Sequence, residues 1–154
     1  MSGEDTHPNA SWGPLAAPSL DDIEALAKQA LDDLPEPFRS MAGEVICVVA
    51  EFPTDAVVAE MELESPFDIL GLFTGVGLAL DGAVPETGRM PNSVFLYRRP
   101  ILDYWAEHDE TLGALITHVL VHEIGHHFGL SDEDMEAIEA AADEAAGATV
   151  SGPR

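Results

Sequence analysis

A single cysteine, Cys47, stands among the 154 residues, so no internal disulfide can form and the chain carries no sign of a disulfide-stapled extracellular scaffold. Its neighbours Val45, Ile46, Val48 and Val49 are apolar, which predicts a buried, inert thiol and not a nucleophile. Basic residues are scarce too: six Lys plus Arg stand against 29 Asp plus Glu, a formal net charge of −23. That balance repels nucleic acid and anionic membranes. It reads first as a solvated, solubilising surface and second as an attraction for basic peptides, should acidic residues line a cleft. No apolar run is long and uniform enough to span a bilayer, and residues 1–8 lack the basic start and apolar run of a signal peptide. Cytoplasmic residence is therefore the expectation. The glycines at 71, 75 and 77 lack the Walker spacing and its Lys-Ser/Thr ending, which removes a phosphate loop.

The length suits one domain with a real core. Residues 1–18, rich in Pro, Gly, Ser and Asn, read as a flexible extension, 19–146 as the folded domain and 147–154 as a frayed tail. Ile23, Leu26, Ala27, Ala30, Leu31 and Leu34 share one face of a first helix that Pro35 and Pro37 stop, with Asp21, Asp22 and Glu24 at its positive end. Residues 44–51 predict a buried strand; 54–64 are ambiguous between a helical turn and a loop. The glycine-punctuated stretch 67–80 predicts a hairpin, and 93–98 another strand that Pro100 ends. Residues 100–108 then read as a short connection carrying Tyr104 and Trp105, with room for a helical turn. Leu112, Leu115, Ile116, Val119 and Leu120 mark a core helix over 110–128, followed by a last helix over 132–146.

The chemistry is concentrated in His122-Glu123-Ile124-Gly125-His126-His127-Phe128-Gly129-Leu130-Ser131-Asp132. Positions four apart on a helix lie roughly 40° from each other, so His122 and His126 project one turn apart from one face and can hold one cation. Glu123 follows the first histidine and falls beside the position left for water, where a carboxylate serves as general base. Gly129 tolerates the positive φ that ends helices, so the chain can fold back and bring Asp132 to the metal as a third ligand. Ser131 with Asp134 resembles an N-cap opening the next helix.

This H-E-x-x-H-x-x-G-x-x-D pattern resembles the zincin metallopeptidases, and more narrowly the small bacterial minimal zincin, or zincin-like metallopeptidase, group. Three further stretches are similar to that group: 34–38, 69–75 and 94–100. The resemblance covers roughly residues 20–145. It implies an α+β fold, a compact single domain whose small mixed sheet packs on the metal-binding helix with helices at both chain ends. It also implies one Zn2+ on His122, His126 and Asp132, Glu123 as base, and an extended peptide substrate paired with a sheet edge, either the strand 93–98 or the preceding hairpin. The larger metzincins end the motif with histidine and add a methionine turn; here the only later methionine, Met135, belongs to the next helix.

His118, one turn before His122, is set aside as a ligand because three protein groups already complete a catalytic zinc shell. His127 points about 100° from His126 and reads as a polar neighbour. Tyr97, Tyr104, His127, Arg98 and Arg99 are candidate oxyanion donors, but packing or surface charge is the preferred reading of each, and none is assigned. The competing account is a catalytically silent metal-binding scaffold or regulatory protein. A structural zinc site is closed by four protein ligands, so His118 or a second carboxylate would have to join, and Glu123 would lack an evident duty. An acidic partner-binding protein without metal leaves the His-Glu-His spacing to coincidence.

Overall fold

The computed structural model describes residues 12–75 and 92–149, the last four as backbone only. Helix α1 (Leu20–Asp33) opens on a capping box in which Ser19 Oγ accepts from the Asp22 N–H and the Ser19 N–H donates to Asp22. These bonds satisfy amides that the first helical turn leaves without partners. Its predicted apolar face is the buried one: Ile23 and Ala27 are fully enclosed. Leu34 caps the helix before Pro35, and a short helix α2 (Phe38–Met41) tucks Phe38 into the core.

Strand β1 (Ile46–Ala50), helix α3 (Asp55–Glu60), a 3-10 turn (Pro66–Asp68), β2 (Gly71–Thr74) and β3 (Ser93–Tyr97) follow. Three helices complete the described chain: α4 (Arg98–Glu107), α5 (Leu112–His127) and α6 (Asp132–Thr149). The sheet has the order β1-β3-β2, with β1 parallel and β2 antiparallel to β3, so this is a mixed sheet in an α+β fold. Val94 and Leu96 of β3 are fully buried in one continuous core with Ile23 and Ala27 of α1 and with Leu115, Ile116, Leu120 and Ile124 of α5. Burying each of the Val, Leu and Ile side chains among them contributes about 1.5–3 kcal/mol. Cys47 packs against that core from β1, and burial, helped by Glu24 and opposed by Lys28, pushes its thiol up to about 11. At neutral pH it is protonated and inert, as the apolar run implies.

Several sequence expectations change. The strand 93–98 is not a sheet edge among the described residues: β3 is central, with β1 and β2 on its two sides. Pro100 does not end a strand ahead of a short connection but sits in the first turn of the ten-residue helix α4. A first-turn proline is compatible with a helix because its missing N–H would have no intrahelical partner. Of the hairpin expected over 67–80, the first residues form the 3-10 turn, β2 pairs with β3, and residues 76–80 lie outside the described part. The ambiguous stretch resolves as α3, because Thr54 Oγ1 accepts from the Val57 N–H and caps a helix.

Candidate metal centre

Helix α5 starts at the Thr111 cap, whose hydroxyl accepts from the Ala114 N–H. One side of it is core; the histidines emerge from the other. The His122 and His126 rings lie 5.8 Å apart and nearly perpendicular, and His118 continues the row one turn earlier, its ring 4.1 Å from that of His122.

The helix ends as the glycine predicts. Gly129 has φ +78°, its N–H donates to the His126 carbonyl, and the Leu130 N–H donates to the Gly125 carbonyl, which is the Schellman closure. Ser131 then caps α6: its hydroxyl accepts from the Asp134 N–H and its own N–H donates to the Asp134 carboxylate. Asp132 is therefore the first residue of α6, and it is exposed, as is His126. Met135 packs, fully buried, on Gly125 between the motif histidines; a Cβ built there would stand 2.6 Å from the Met135 sulfur. This contact sets the register of the α5–α6 hairpin.

Glu123 sits where α5 meets the sheet. Tyr97 N–H donates to the Leu70 carbonyl, and the register pairs Leu72 with Phe95, so Leu70 and Leu72 turn their backbone groups to β3. The alternation of an antiparallel ladder then turns those of Gly71 and Phe73 the other way. Phe73 N–H, on that outer side, donates to Glu123 Oε1 at 3.3 Å. Burial holds the Glu123 carboxyl above the usual carboxylate range, with the Phe73 N–H and His126 pulling it partly back. The close approach depends on Gly71, where a Cβ would stand 2.7 Å from the Val119 side chain and 2.9 Å from the Phe95 carbonyl oxygen. His127 stacks on the Phe73 ring at 4.1 Å, so it clamps the strand that contacts the glutamate.

Glu139 is the participant that sequence reading missed. Its two oxygens lie 2.9 Å from His122 Nε2 and 3.0 Å from His118 Nδ1. A carboxylate only accepts, so each facing ring nitrogen donates to it. Among the described residues, His118, His122 and Glu139 are the group whose ligand atoms all lie within 4.8 Å of one another, and His126 and Asp132 are not gathered with them. No local spacing points to it: Glu139 lies two turns into α6, 17 residues from His122, and the packing of α6 on α5 brings it there. Two imidazoles and a carboxylate suit Zn2+, which takes N and O donors and three protein ligands in catalytic sites.

The candidate oxyanion donors divide. Arg98 donates to the Pro18 carbonyl and pairs with Glu51, Arg99 lies over the Phe52 ring, and Tyr104 stacks on His108. Tyr97 is buried close enough to Glu123 for that charge, after burial itself, to hold its phenol above the usual range.

An open helix face of histidines, a half-buried glutamate against β2 and a glycine-closed turn make up a metallopeptidase-like centre. Residues 42–142 match the model of the zincin-like metallopeptidase family, and since this is well over half of the chain, the protein belongs to that family. No curated protein matches it. No helix among the described residues is long and apolar enough to cross a membrane.

Proposed function

We propose that this chain is a zinc-dependent peptidase that hydrolyses peptide bonds with Glu123 as general base and His122, His126 and Asp132 as the metal ligands of its motif. The observation that carries this reading is the contact between Glu123 and Phe73 N–H, which joins the family's base position to the side of β2 turned away from β3, β2 being an edge strand among the described residues. The ion would supply Lewis acidity, polarising the scissile carbonyl and acidifying a water. Glu123 takes the proton of that water as the C–O bond forms, then returns it to the amine as the C–N bond breaks, leaving a carboxylate and an amine. A carboxyl held above its usual range by burial is a stronger base than an exposed one, which suits it to both transfers. An extended peptide that adds to a sheet edge is held by backbone hydrogen bonds and its side chains go unread. The net charge of −23 favours basic peptides among such substrates.

The His118–His122–Glu139 group also supports the scaffold account, since it supplies the extra imidazole and carboxylate that a closed shell demands. Cleavage of a peptide library separates the two. Wild type is expected to cleave and Glu123→Gln to lose about 10²–10⁴-fold in rate while keeping its metal. A zinc-loaded wild type that leaves diverse peptides intact would establish the scaffold in its place.

A further inference from the structure

We propose that His118, His122 and Glu139 form a metal-binding shell of their own, which overlaps the motif shell at His122 and so excludes it. The inference rests on the reading above only through that shared histidine. Three observations carry it. The donors are of the right chemistry, two imidazole nitrogens and a carboxylate oxygen, and their atoms are gathered within 4.8 Å of one another. They are accessible to an ion from solvent, with side chains 50 %, 26 % and 24 % exposed for His118, His122 and Glu139. They are held by rigid elements: the histidines stand one turn apart on α5, and the packing of Met135 on Gly125 sets the α6 turn that carries Glu139. Side chains on packed helices lose little further freedom when an ion arrives, which favours binding.

The carboxylate now accepts hydrogen bonds from both rings. A divalent ion of the Zn2+ class would take the place of the two facing ring protons, each neutral ring carrying its proton on the other nitrogen as the facing one becomes a ligand. The facing nitrogen of His122 can serve one ion only, so the chain would hold one ion in either of two places, and an ion in this outer shell would leave the motif shell without its first histidine. The position is thus a competing one, filled at the expense of the shell that serves Glu123.

The test is equilibrium titration of the full chain with Zn2+, and with Co2+ as its spectroscopic stand-in, in variants that remove one shell at a time. The variant carrying His126→Ala and Asp132→Ala is expected to keep one Zn2+ per chain, and adding Glu139→Gln to weaken binding by at least about tenfold, the scale of losing a metal-site carboxylate contact. Both altered residues of the first variant are exposed, and the single substitution His126→Ala carries the same test should the pair perturb folding. The shell is overturned if the folded His126→Ala/Asp132→Ala chain takes up no Zn2+, or if Glu139→Gln leaves its affinity unchanged. Zinc lost from that variant while wild type keeps zinc and cleaves peptides removes the outer shell alone; zinc kept there by a wild type inert to peptides removes the peptidase reading alone.

Discussion

Glu123 illustrates how a half-buried carboxylate costs stability. A carboxyl whose native pKa is raised binds more protons in the native than in the unfolded chain, so the charged form destabilises the fold above the native pKa. The penalty fades as pH falls through the native pKa and is gone below the ordinary carboxylate value. Glu123→Gln keeps an oxygen able to accept from Phe73 N–H but removes the charge. In chelator-treated protein the variant should therefore unfold at a higher urea concentration than wild type at neutral pH, with the two midpoints converging in acid. Midpoints that differ equally at both pH values would exclude burial of the charge as the cause. The neighbouring histidine answers to two partners: His122 belongs to the motif by sequence and to Glu139 by contact. The first relation was legible because it lies within one helix. The second joins residues 17 apart across a turn, and no local spacing reports it.

Two short approaches hold the elements that meet at the site. β2 reaches α5 at Gly71 and α6 reaches α5 at Gly125, and a side chain at either would collide with its neighbour. The two contacts differ in what can yield. At Gly125 the obstacle is the Met135 side chain, which has rotatable bonds; at Gly71 it includes the Phe95 carbonyl, which is fixed in the ladder. Overpacking costs about 1–3 kcal/mol, and Gly71→Ala should fall at the upper part of that range with Gly125→Ala below it. Chemical denaturation of the two variants checks the order, and a smaller loss at Gly71 would contradict it. Gly71→Ala should also separate Phe73 from Glu123 and slow any peptide cleavage. The α4 segment shows why element boundaries were harder to read than element types. Pro100 carries the same local restriction whether it ends a strand or opens a helix, and only the docking of Ile101 into the core selects the helix.

A charge of −23 on a chain of this size places many like charges on one small surface. Self-repulsion of that kind weakens a compact state and is relieved by salt. Raising ionic strength from about 0.01 M to about 0.15 M shortens the screening length from about 30 Å to about 8 Å. The thermal midpoint of the metal-free protein should therefore rise over this interval, and a flat or falling midpoint would show that local pairs such as Arg98 with Glu51 outweigh the net field. The same surface should slow capture of acidic peptides relative to basic ones, with the difference shrinking as salt is added.

Periodicity and spacing along the chain were enough for the α1 and α5 core faces, the Gly129 turn, the Ser131 cap and the His-Glu-His motif, because each is set by contacts within a few residues. Folding in three dimensions settled the strand order, which among the described residues makes β2 and not β3 the edge beside Glu123, and it set Glu139 against His118 and His122. Those outcomes depend on which surfaces bury each other best over long separations, and a linear pattern carries no term for that competition.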